Sequence, residues 1–447
     1  MNEPSDHRPR DVPLGTSFAT ARELHERALW HFVSFYGDAM AAFDATIAAD
    51  PGWGLARVAK AVFICTLTEP NLLPLARQLF DEAEPLMADA HPHERGHLAA
   101  AQAALDGRWR EACARWDALL QDRPRDLLAL GAAHLFDFYR GDARSLRARV
   151  ARVLPEWPTD DPLQPYVQGM HAFGLEECNL YALAEQAGRE ALAREPRGPW
   201  AIHAVAHVME MQGRHVEGAD WLRERQISWS DDNGLAVHLW WHQALFALEA
   251  LDTAAALSLF DARMAGSASV VNLQWLDGAA LLWRVQLLGG DVGARWQALA
   301  RDWADPVAHA GHYAFNDVHA LLALLGSGEM ARAQALLAAS AEHARADNRE
   351  MAREVGVPLM RGLLAFARGD AAGACQTLAP LRAVAHHFGG SHAQRDIIDQ
   401  TLLAAAVQAG DTSLGRALLN ERRLAKPATP LTQHWAGQLG LHIDGRP

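Results

Sequence analysis

Short turn signals recur along this chain at intervals of about 34 to 42 residues, and that period constrains the fold more than any other feature. Glycines mark most of them: Gly107 in DGRWREA, Gly141 in RGDARS, Gly213 in QGRHVEG, Gly290 in GGDVGARW, Gly328 in SGEMARA, Gly369 in RGDAAGA and Gly410 in AGDTSLG. Asn179 in ECNLYALAE keeps the same register, and a degenerate turn falls near Leu251 in EALDTAAAL. Each is preceded by an apolar-periodic segment and followed by an amphipathic one. A helix often ends on a left-handed residue, a conformation that glycine adopts without steric cost. Small residues such as Ala184, Gly218 and Ala333 follow five positions after a turn, where they let the two helices of a hairpin approach closely.

A lone hairpin of this kind cannot bury its apolar stripe, whereas a stack of them can. The period therefore predicts an all-α chain, a tetratricopeptide-like helical-hairpin superhelix (an α-solenoid) of about eleven repeats. The expected organisation is a flexible N-terminal arm over 1–20, the repeat stack over 21–425 and a C-terminal cap over 426–447, opened by a proline break in KPATPLTQHW. The segments Ser269–Trp275 and Trp303–Phe315 read as insertions. Half the residues are apolar and only 5 are Tyr, which suits helix nearly throughout.

The net charge of −13 makes nucleic acid a poor partner, since nucleic acid rewards clustered Lys and Arg. Lys60 and Lys426 are the only lysines. Cys65, Cys113, Cys178 and Cys375 form no CxxC, so a reducing, cytoplasmic setting is expected. The N-terminal residues lack the apolar stretch of a signal peptide, and no run approaches the roughly 18 apolar residues of a membrane span. No membrane partner is expected, and a homodimer is compatible with the sequence. GxSxG, Walker and dinucleotide fingerprints are absent, which removes the easiest enzyme classes.

In tetratricopeptide hairpins the first helix lines the concave face, with its inward residues about 13, 10, 6, 3 and 2 positions before the turn residue, a stripe set by the helix period. Counting back from Gly213 selects His203, His207 and Glu210. Counting from Asn179 selects Tyr166, Phe173, Glu176 and Glu177. Leu251 selects His238 and Trp241, with His242 one step round the helix, and Gly290 selects Asp277 and Arg284. Later repeats add Asn316, Asp317 and His319 in FNDVH, and Arg395, Asp396 and Gln400 in GGSHAQRDIIDQ, in looser register.

The spacing His203-x3-His207-x2-Glu210 admits two chemistries. Two histidines one turn apart can share a metal, with His238 and His242 adding ligands; His203, His207, Glu210 and His238 are the expected set if a divalent metal binds. Alternatively His207 or His203 serves as a general base oriented by Glu210. The competing reading is a polar lining that binds water or a peptide. Arg284 with Asp277 reads first as an ion pair and second as an anion clamp. Trp200, Trp221, Trp283 and Trp296 fall at packing positions; Trp241 reads as a stacking platform in the groove.

Taken together, the stretches GMHAFGLEECNLYALAE, WAIHAVAHVMEMQGR, HLWWHQALFALE, LLWRVQLLGGDVGARW, FNDVH, REVGVPL and GGSHAQRDIIDQTLLAAA resemble the tetratricopeptide repeat protein 38 family. They run in order from about Tyr166 to Arg423. The resemblance implies a helical repeat fold and no defined activity. Its pattern includes positions matching His203, His207, Glu210, His238, His242, Asp317, Gln394, Arg395 and Asp396, which reads as a fixed small pocket. The first expectation is a protein that binds a small polar ligand or short peptide end with Glu177, His203, His207, Glu210, His238, Trp241, Asp277 and Arg284, with no cofactor required. The second is a hydrolase or lyase using the same pocket, with Arg284 or Arg395 holding an anionic substrate. The third is a protein-interaction scaffold.

Overall fold

A computed structural model of the protein describes residues 10–265, 272–303, 305–426 and 429–441. They are all-α: helices follow one another from Ala19–Ser34 to Pro430–Gln438, and no strand occurs among the described residues. No described helix is long and apolar enough to cross a membrane. The chain forms two compact units. The first comprises residues up to Val205 together with Asp231–Leu235; the second comprises Ala206–Ser230 and Ala236 onward. In each, a helix packs against its neighbour along the chain to make a tetratricopeptide-like run of hairpins, such as Pro92–Leu105 with Trp109–Asp122 in the first and Val357–Ala367 with Ala371–Leu378 in the second.

The hairpin turns have a common construction. Gly107, Gly141, Asn179, Gly213, Leu251, Gly328, Gly369 and Gly410 all take positive φ, between 59° and 81°. Even the degenerate turn at Leu251 is left-handed, with φ 62°. In the Gly290 turn the left-handed residue is Gly289, one position earlier, with φ 79°. In four of these turns an aspartate comes next, and its carboxylate caps the following helix: Asp142 accepts from Ser145 N, Asp252 from Ala255 N, Asp370 from Gly373 N and Asp411 from Leu414 N. The left-handed residue ends one helix and the aspartate satisfies the exposed N–H groups of the next, a cap worth roughly 0.5–2 kcal/mol.

Close approach explains the small residues after the turns. A Cβ on Gly218 would lie 2.2 Å from Phe246 Cζ, so the His215–Glu224 helix rests directly on that ring. Ala184 and Ala333 are fully buried.

The N-terminal arm and the first expected insertion differ from the sequence expectation, and the cap acquires a definite place. The expected flexible arm is docked where described: Arg10 pairs with Glu26, Gly15 N donates to Glu94 Oε1 at 2.8 Å, and Thr16 Oγ1 donates to Asp50 Oδ2 at 2.6 Å. Residues 1–9 lie outside the described residues. In the expected insertion Ser269–Trp275, residues 269–271 lie outside them too, and the Asn272–Leu287 helix takes the rest. The expected cap is built into the second unit. Its Pro430–Gln438 helix packs against Ala236–Glu249, His392–Ala409 and Thr412–Ala425, with Trp435 buried and its Nε1 donating to Gln400 Oε1 at 2.8 Å.

Gly218→Ala is expected to destabilise the protein by about 1–3 kcal/mol through overpacking against Phe246. Urea unfolding of the variant beside the native chain measures this, and an unchanged midpoint contradicts the close approach.

Candidate functional site

The second unit turns polar and charged side chains inward from four helices. His207 and Glu210, three residues apart, share a face of Pro199–Met211. His238 and His242, four apart, share a face of Ala236–Glu249. Asp277 and Arg284 lie two turns apart on Asn272–Leu287, and Asp396 and Gln400 one turn apart on His392–Ala409. His207, His242 and Asp277 are wholly buried, and Glu210 and Arg284 nearly so.

Two imidazole–carboxylate pairs organise this interior. His242 Nδ1 lies 2.8 Å from Glu210 Oε2, and His238 Nδ1 lies 2.9 Å from Asp277 Oδ2. The His207 and His242 rings meet edge to face at 4.4 Å, and His238 meets His242 at 4.8 Å. His207, His238 and His242 each offer a ring nitrogen within 4.8 Å of the other two. The His238 ring stacks on Trp241 at 5.2 Å, and the Arg284 guanidinium lies 5.5 Å from the centre of the same indole.

Behind the imidazoles lies a charged network that joins Glu210, Arg284, Asp396 and Gln400, all named from sequence, to Arg422, Lys426 and Glu249, which were not. Arg422 NH2 reaches both oxygens of Glu249 at 2.9 Å, and its NH1 reaches Asp396 Oδ1 at 3.3 Å. Lys426 Nζ lies 3.9 Å from Glu210 Oε1 and 3.8 Å from Glu249 Oε2. Glu210, Glu249, Arg284, Asp396, Gln400 and Lys426 line a small cavity with about 20 Å³ open to the centre of a water-sized sphere. That is room for about one water molecule. Lys426 opens the segment expected to be a cap, and Arg422 lies on Thr412–Ala425, the second helix of the last hairpin, outside the first-helix stripe that the counting reads.

Electrostatics follow from burial. Burial first, then the neighbouring His242 and His238, hold His207 well below the usual imidazole range; burial, His238 and Arg284 do the same for His242. Both rings are therefore neutral. Burial pushes the Glu210 carboxyl up to about 7, against the pull of Lys426. Burial would raise Asp396 as well, but Arg422, Lys426 and Arg284 hold it at about 2.

The structure places the other expected residues as follows. Glu210 was paired in sequence with His207 or His203; its Oε2 meets His242 of the next hairpin. The expected Arg284–Asp277 ion pair is replaced by other bonds. Arg284 donates to the carbonyls of Ala280, Ala393 and Gln394, at 3.0, 2.8 and 3.3 Å, while Asp277 Oδ2 takes His238. The guanidinium fork spans from its own helix to the first residues of His392–Ala409, satisfied by carbonyls there. His203 and Glu177 are buried in the first unit, where the His203 ring lies 5.1 Å from Phe173. Arg395 donates to Gly390 O and to His392 Nδ1.

Asp317 serves a different seam. Its Oδ2 accepts from Gly311 N at 2.9 Å and from Ser340 Oγ, bracing the irregular 305–313 segment. His319 donates from Nδ1 to Phe315 O at 2.8 Å and packs on the Phe315 ring. Trp200, Trp221, Trp283 and Trp296 are core, as their spacing predicts, and Trp241 is fully buried as well.

Two outcomes follow. Arg422→Ala leaves Glu249 and Asp396 buried beside one fewer cation, at a cost of about 3–5 kcal/mol in chemical denaturation; a loss within experimental error contradicts the network. Asp317, with a folded pKa of about 7 and an unfolded one of about 3.9, keeps its proton only in the folded state between those values. Native stability therefore falls as pH rises through that window, at up to about 1.4 kcal/mol per pH unit from this group. Asp317→Asn removes the slope, and parallel stability–pH curves for the two proteins contradict this assignment.

No family model matches the chain. Among solved structures it is similar to a monomeric mutant of IFIT1 with Gppp-AAAA, at 13% identity over 96% of each chain and a TM-score of 0.41.

Proposed function

We propose that the second unit binds a divalent transition metal through His207, His238 and His242, and that this centre holds a small polar ligand. The observation that carries the reading is the carboxylate on Nδ1 of two of these three rings, Asp277 on the partly exposed His238 and Glu210 on the buried His242. A carboxylate there fixes the tautomer with its lone pair on Nε2, orients the ring and raises its basicity, as carboxylates do behind metal-bound histidines. Imidazole sets of this kind suit zinc, copper, iron or nickel, and neutral rings are the form that ligates. Glu210, expected from sequence among the ligands, takes the supporting role behind His242 in this reading.

Burial of His207 and His242 supports an enclosed site over an open peptide groove. The stacked pair His238–Trp241 and the adjacent Arg284 offer a flat face and a cation to a small ligand. A second reading, hydrolysis of a small metabolite by metal-activated water, draws on the water-sized cavity lined by Glu210 and Lys426. The chain's place in the tetratricopeptide repeat protein 38 family belongs to the same proposal. It rests on the strings WAIHAVAHVMEM and GGSHAQRD, which contain His203, His207, Glu210, Arg395 and Asp396.

The test is metal content of protein purified without an affinity tag and then equilibrated with zinc. His242→Ala should remove one equivalent relative to the native chain, and Asp277→Asn should weaken that equivalent by about 10–100-fold. Unchanged content in a folded His242→Ala protein contradicts the proposal.

A further inference from the structure

A second cluster of metal-ligating side chains lies in the first unit. The Pro92–Leu105 helix opens with His93-Glu94-Arg95-Gly96-His97. Histidines four apart project from one helix face, and this spacing is one by which helices ligate zinc. The fold supplies a third group. Asp126, at the start of Leu127–Tyr139, directs one carboxylate oxygen at both rings: His93 Nε2 and His97 Nε2 each lie 2.7 Å from Asp126 Oδ2. Its other oxygen caps the helix, accepting from Ala129 N at 3.0 Å. The three side chains are buried, and their ligand atoms lie within 4.8 Å of one another.

The contacts separate ligands from bystanders. Glu94, the residue that in this spacing would act on a metal-bound water, is engaged elsewhere: its Oε1 accepts from Trp53 Nε1 and from Gly15 N, both at 2.8 Å. His97 Nδ1 has no hydrogen-bond partner among the described residues, so the ring's orientation rests on its Nε2 contact. His25, also buried, has Nδ1 without such a partner and packs on Trp53 at 5.0 Å. Ligands around a tetrahedral zinc with bonds of about 2.0–2.1 Å stand roughly 3.3 Å apart, so a shift of about half an ångström in each ring opens the cluster to the ion.

We propose that His93, His97 and Asp126 form a structural divalent-metal site of the zinc class, separate from the site of the second unit. With Glu94 held by Trp53 and the docked N-terminal residues, the site ties Pro92–Leu105 to Leu127–Tyr139 and carries no hydrolytic step. It depends on nothing proposed for the second unit.

The experiment uses the full chain carrying His207→Ala and His238→Ala, stripped with chelator and dialysed against zinc. Its expected content is one zinc per chain, with a rise in melting temperature on loading; adding His97→Ala should abolish both. A folded double variant that retains no zinc and shows no shift overturns the site. Should the double variant fail to fold, His97→Gln in the otherwise native chain decides the matter: one equivalent lost supports the site, and unchanged stoichiometry overturns it.

Discussion

A carboxylate removed from water destabilises a protein by several kcal/mol unless a cation or N–H group meets it, and the second unit is arranged around that constraint. Glu249 is met on both oxygens by Arg422, Asp396 by Arg422 and Gln400, Asp277 by His238, and Glu210 by His242. These partners come from helices far apart in sequence, so the charged groups fix how the helices of this unit register against one another. Stability alone does not account for such an interior, because well-packed apolar residues serve as well or better than buried ion pairs. The proposed metal site offers a reason for it: burial holds His207 and His242 below the usual imidazole range, and carboxylates aim His238 and His242.

The helical architecture was legible because its punctuation is local. A left-handed turn residue followed by a capping aspartate needs no tertiary context, so Gly141-Asp142, Gly369-Asp370 and Gly410-Asp411 declare themselves in sequence. Leu251-Asp252 is the same device with a side chain where glycine is usual. The register slipped by one at Gly289-Gly290, where either glycine could take the turn. The structure gives the left-handed role to Gly289, and a Cβ on Gly290 would meet Val285 Cγ1 at 2.6 Å.

The site was half legible. Helix period places His207, Glu210, His238, His242 and Asp277 on inward faces; all but the half-buried His238 are buried. Period cannot choose partners across helices, which is why Glu210 was matched to its own helix and Arg284 to Asp277. Glu249 stands two positions before Leu251, on the inward stripe, but nothing in that stripe names its partners: Arg422 lies on the second helix of the last hairpin and Lys426 just beyond it, so their meeting with Glu249 depends on the fold of the C-terminal segment. His93-Glu94-Arg95-Gly96-His97 was available in sequence throughout. Asp126, which gives that spacing its meaning, lies 29 residues beyond His97 and joins it only through packing.

In the proposed function, three imidazoles of the second unit converge on one metal ion. Anomalous difference maps from crystals soaked in zinc, collected on both sides of the zinc edge, test it most directly. The expected result is a peak about 2.0–2.1 Å from a ring nitrogen of each of His207, His238 and His242, with Glu210 and Asp277 still bonded to the far sides of His242 and His238. Rings that bond only to one another, to protein groups or to water at saturating zinc, with no peak between them, contradict it.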